Sequence, residues 1–208
     1  RAGSNNAVIP PFEIIVILVL IIANGALAMA EIAVISARKA RLQKRAEEGD
    51  LKARAALGLA NDPGDFLSTV QIGITLVGVL AGAFGGATIA THLSSVLATI
   101  PALAPYSNAI GVAIVVIFIT FFTLVLGELV PKRLALNNPE GIAIKVAQPM
   151  SVLSHLTSPL VRLLSKSSEW VLRLIGIKPK NEPPVTEDEI RVMIDQGTRA
   201  GVFEEAEQ

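Results

Sequence analysis

The sequence predicts an all-α membrane protein, with three transmembrane helices plus cytoplasmic juxtamembrane amphipathic helices. Three observations predict it. Only 17% of the residues are charged, against about 25% in an average soluble domain. Three runs over about 12–37, 66–91 and 108–130 hold no Lys or Arg and, of the acids, only Glu13, Glu31 and Glu128, and each run is long enough to cross a hydrocarbon core of about 30 Å. Lysine and arginine concentrate after the first and third runs, which sets alternating sides for the connecting segments. The chain has no cysteine, so disulfides and thiolate metal sites are excluded, and any bound metal is expected to be held by oxygen.

Arg1 to Pro11 is a polar lead ending in proline, and Ile14 to Ala30 is an unbroken apolar run continuing past Glu31 to Ser36. A signal peptide is the alternative reading, but here the basic residues follow the run instead of preceding it. Asn24, Ala28 and Glu31 fall on one helical face, surrounded by small residues that permit close helix contact. Residues 38–64 carry Arg38, Lys39, Arg41, Lys44, Arg45, Lys52 and Arg54, then the turn Asn61-Asp62-Pro63-Gly64. This helical loop is cytoplasmic by its positive charge, placing the N-terminus outside. Topogenic charge accounts for the loop without nucleic acid.

The second span begins with Ser68, Thr69, Gln71, Gly73 and Thr75, and its far half carries Gly78, Gly82, Gly85 and Gly86. The hydroxyls and the amide either bond helical neighbours or form a polar cluster at the depth of Glu128. Small-residue spacing in the far half suits tight packing or dimerisation. His92 to Ser107 has no Lys or Arg and contains Pro101 and Pro105, which fits an outside loop or a short re-entrant piece.

The third span, NAIGVAIVVIFITFFTLVLGELVPKRLAL over Asn108 to Leu136, is the stretch that carries chemistry. Pro131 has no N–H, so the Gly127 carbonyl loses its helical donor. That oxygen lies beside the Glu128 carboxylate at the membrane edge, where only protein, water or an ion can satisfy it. Either the pair forms a cation site, or Glu128 pairs with Lys132 one turn on. Glu31 has the same two readings, as a functional carboxylate or as a partner of Arg38 or Lys132. Gly127 to Pro131 and the Asn61 to Gly64 turn are hinge candidates.

Residues 141–177 are apolar but interrupted by charges and by Pro149 and Pro159. Proline-bent amphipathic helices on the cytoplasmic membrane surface, with Trp170 at headgroup level, fit better than a fourth span. Residues 178–208 read as the linker KPKNEPP followed by a capping box, Thr186-Glu187-Asp188-Glu189, that opens an acidic helix. There is no Walker loop, no HExxH and no nucleophile elbow, so an enzyme is not expected.

The motifs NGxLAMAEIAxxSxRKxRL, DFLSTVQIGITLVG and GELVPKRLAL resemble the transmembrane module of the CorC family of bacterial magnesium transporters, relatives of the animal cyclin M proteins. The likeness covers nearly the whole chain from Ile14 onward. It implies a homodimer in the bacterial inner membrane, N-terminus outside and C-terminus cytoplasmic. It further implies Mg²⁺ as cargo, efflux driven by Na⁺ entry, and a cytoplasmic CBS-domain pair following the tail, through which alone ATP would act. Apart from the family, the residues themselves suggest a ligand set for such an ion: Glu128, the Gly127 carbonyl, oxygens of Ser68 and Thr69, and the Ala28 carbonyl. Asn24, Glu31 and Gln71 would line the path or bind the coupling ion, with Pro131 at the hinge. Family members often carry a hydroxyl three residues before the first-span glutamate, and here that position is Ala28. A membrane-anchored Mg²⁺ sensor or scaffold that moves nothing is the alternative function.

Overall fold

The computed structural model describes residues 11–176 and 194–195, and every element among them is helical. Three helices are long and apolar enough to cross a membrane: Phe12–Ser36, Gly64–Leu97 and Ala104–Asn137. The chain is therefore a membrane protein. The second and third spans run past the 66–91 and 108–130 expected, because their polar ends stay helical. The chain divides into two units, Arg1–Leu163 and Leu164–Gln208. The described part of the second holds the end of a long helix, where Arg173 and Glu169 pair at 3.9 Å, and two helical residues, Ile194 and Asp195. The polar lead over 1–10 and, those two residues apart, the expected linker and acidic helix over 178–208 lie outside the described residues.

In the first unit α1 (Pro11–Ser36) forms the first span. The basic loop folds as two helices, α2 (Lys39–Glu47) and α3 (Leu51–Asn61). Gly49, at φ +95°, ends α2 with a backbone that a side chain resists. Its neighbours close a six-to-one turn, Asp50 N donating to Arg45 O at 3.1 Å. The Asp50 carboxylate then caps α3, accepting from the N–H groups of Lys52 and Ala53 at 3.0 and 3.1 Å. Asp50→Ala is expected to cost about 1 kcal/mol, read as a lowered unfolding temperature in detergent with the helix content unchanged.

The second span is α4 (Gly64–Phe84), a π-helical turn (Gly85–Ile89) and α5 (Ala90–Leu97). The third is α6 (Ser107–Leu124), a second π turn (Val125–Leu129) and α7 (Val130–Asn137). Thr88, Thr91 and Ser94 return their hydroxyls to carbonyls of their own helix, which removes their donors from the lipid at no need of a partner helix. Gly85 faces Ile119, and Gly111 faces Ser94 and the Ala90 carbonyl, so the outer halves of these spans lie close together.

α8 (Pro139–Leu174) is one continuous helix that carries Pro149 and Pro159 inside it. It is not among the three candidate spans. The core gathers at one end of the spans. There Ala33, Val34, Leu42, Ala53, Phe66, Val70, Ala135 and Ala143 are buried together, so the ends of α1, α4 and α7 and the start of α8 are fixed against α2 and α3. Alanine dominates this core and allows short interhelical distances. Thr69 and Thr157 add a hydroxyl-to-hydroxyl bond of 2.7 Å between α4 and α8.

Candidate functional site

The first and third spans cross where glycine meets glycine. A Cβ on Gly25 would stand 2.9 Å from Pro131 Cγ, 3.0 Å from the Leu126 carbonyl oxygen and 3.6 Å from Gly127 Cα. A Cβ on Gly127 would stand 3.3 Å from the Ile21 carbonyl oxygen. Gly25 has no room for a side chain and Gly127 has little, and the two backbones approach as small residues allow in membranes.

The π turn sits at this crossing and changes which carbonyls are free. Val130 N–H reaches back five residues to Val125 O, so the Leu126 carbonyl loses the donor an α-helix would supply. Its π-helical donor would be Pro131, which has no N–H. The Gly127 carbonyl loses its α-helical donor to the same proline. Two successive carbonyls in one span thus lose the donor that a regular α-helix would give them, and both face α1.

Asn24 answers one of them. Its Nδ2 donates to Gly127 O at 2.9 Å, across 103 residues of sequence. Chemistry fixes the amide orientation, since Oδ1 and a backbone carbonyl are both acceptors. Asn24 is 4% exposed, and its Oδ1 has no hydrogen-bond partner. A buried carbonyl left so costs about 1–3 kcal/mol, and hydrocarbon cannot relieve it.

Glu128 lies in the same π turn. Its Oε1 accepts from Lys132 Nζ at 2.9 Å, with side chains 42% and 32% exposed. The ion pair one turn on therefore forms in spite of Pro131, because α7 resumes regular helix through the proline. Glu31 is half-buried and, among the described residues, pairs with neither Arg38 nor Lys132. Among those residues no three His, Cys, Asp or Glu side chains come together. A cation at this crossing would meet one carboxylate and neutral oxygens.

The other residues singled out by sequence stand apart from it. α4 runs antiparallel to α1, and the Leu27 side chain packs where a Cβ on Gly73 would be. From that contact Thr69 lies four residues toward the cytoplasmic end, whereas Asn24 lies three residues the other way. At about 1.5 Å per residue the separation is roughly 10 Å. Thr69 is buried and bonded to Thr157, Ser68 is half-buried, and Gln71 is exposed. Ala28 is fully buried one turn from Asn24.

Three features escaped the sequence reading. The Leu126 carbonyl was hidden because a π turn leaves no residue signature. The pairing of Asn24 with Gly127 needed the crossing point. Thr123 has a buried Oγ1 without a partner and lines a cavity of about 210 Å³ with Gly78, Gly82, Gly86 and Thr120; its only signal was a hydroxyl in an apolar run. A larger, apolar groove of about 500 Å³ reaches the crossing at Ile21 and Leu126 and is lined by residues such as Ile17, Val115 and Phe118, with His92 among them.

Comparison with known proteins gives one family match, to the cyclin M transmembrane N-terminal domain, over residues 15–207. The UPF0053 protein sll0260 of Synechocystis is 54% identical over 196 residues, covering 94% of this chain and 44% of that protein. The polyamine export protein of Haemophilus influenzae is 29% identical over 197 residues, covering 93% and 45%. The polyamine export protein of Escherichia coli K12 is 28% identical over 195 residues, covering 94% and 43%. The chain spans less than half the length of these curated relatives.

Proposed function

This chain belongs to the cyclin M transmembrane N-terminal domain family, and from that premise we propose that it moves Mg²⁺ out of a bacterial cell in exchange for Na⁺. The observation that carries the proposal is the π turn before Pro131, which offers the Leu126 and Gly127 carbonyls beside Glu128 inside a membrane span. Mg²⁺ takes about six oxygens in an octahedral shell and keeps several waters. One carboxylate with carbonyls and waters binds it loosely enough to release it. Loading requires Glu128 to exchange Lys132 for the cation, so the ion pair is the resting state of the carboxylate. Glu31 lies seven residues along α1 from Asn24 and serves the path to the cytoplasm.

The same reading places the protein in the inner membrane, N-terminus outside, with α8 along the cytoplasmic surface and a CBS pair beyond it. It acts as a homodimer, for which the open glycine stripe Gly78, Gly82 and Gly86 is suited. It performs no covalent chemistry and is not an enzyme.

A second reading is export of a polyamine. The names of the relatives from H. influenzae and E. coli favour it. Proteoliposomes holding the full-length protein separate the readings. With an opposing Na⁺ gradient, Mg²⁺ flux without spermidine flux is the expected result. Spermidine flux alone would establish the second reading, and Mg²⁺ binding without any flux would make the protein a sensor.

A further inference from the structure

The geometry points to Asn24 Oδ1 as a neutral ligand of the transported cation; this rests on the cation-transport reading above. Asn24 is 4% exposed and its Oδ1 is unpartnered, while its Nδ2 is committed to Gly127 O at 2.9 Å. The two ends of the amide therefore do different work. The N–H anchors the side chain to the π turn and fixes the amide plane. The oxygen is left as a preset acceptor beside the stripped carbonyls of the third span.

Position 28, one turn along the same face, is an alanine with no exposed surface, so it supplies no side-chain oxygen and no water reaches it from outside. Two oxygen-bearing side chains flank it on that face of α1, Asn24 and Glu31, and of the two Asn24 is the one bonded to the π turn. A hard cation such as Mg²⁺ accepts an amide oxygen readily. The Gly127 carbonyl has two lone pairs, so it keeps the Asn24 N–H on one and offers the other to the same ion. A purely structural asparagine would use both ends of its amide, as buried polar groups do.

The test is calorimetric titration of Mg²⁺ into the purified full-length protein, comparing Asn24→Leu, Asn24→Asp and Glu128→Gln, with unfolding temperatures measured on the ion-free proteins. Asn24→Leu removes donor and oxygen together, and is expected to weaken binding at least ten-fold. Asn24→Asp keeps an oxygen while losing the donor, and is expected to bind at least as tightly as the native protein despite a lower unfolding temperature. Native affinity in Asn24→Leu, or equal weakening in both variants, would overturn the assignment. Loss of binding in Glu128→Gln alone would overturn it while leaving the transport reading intact. Unchanged binding in Glu128→Gln would instead sink the reading on which it rests.

Discussion

Gly25→Val is expected to abolish transport and to destabilise the fold by about 1–3 kcal/mol, the usual cost of overpacking. The added Cβ meets Pro131 Cγ at 2.9 Å and the Leu126 carbonyl oxygen at 3.0 Å. Neither neighbour can step aside, because one belongs to a closed ring and the other to the backbone. The first and third spans must separate instead, which stretches the Asn24 bond to Gly127 and dismantles the crossing. Gly58 is the control. It lies on an exposed face of α3 with nothing within 4 Å of an added Cβ, so Gly58→Ala is expected to raise stability by about 0.5–1 kcal/mol and leave flux unchanged. An unaltered unfolding temperature and flux in Gly25→Val would mean that the spans do not approach as closely as described.

The spans were legible because length and the exclusion of charge are properties of the sequence itself, and lipid admits few alternatives. The stripped Gly127 carbonyl was legible for a related reason, since proline lacks its N–H wherever it stands. What answers that carbonyl was not legible. Asn24 lies 103 residues away, and only the glycine-to-glycine crossing decides that it, and not a hydroxyl of the second span, arrives there.

The partner of Thr69 was hidden for the same reason. The register of α4 on α1 is set by Leu27 against Gly73, which counting inward from the end of each span does not give. Thr69 turns instead to Thr157 on α8. Pro149 and Pro159 both lie inside the single helix α8; an interior proline removes a hydrogen bond without obliging the helix to end.

Glu128 carries the second large effect. In the structure it is held by Lys132 at 2.9 Å, an arrangement that serves equally as a helix-end pair or as a carboxylate waiting for its cation. The neighbouring oxygens favour the second, because Leu126, Gly127 and Asn24 offer acceptors that Lys132, already engaged, does not satisfy. Mg²⁺ flux into proteoliposomes, measured side by side for the native protein, Glu128→Gln and Lys132→Gln, decides between them. The transport reading predicts that Glu128→Gln falls at least a hundred-fold while Lys132→Gln keeps flux, since only the carboxylate meets the ion. Flux in Glu128→Gln equal to that of the native protein, or equal losses in both variants, would contradict it.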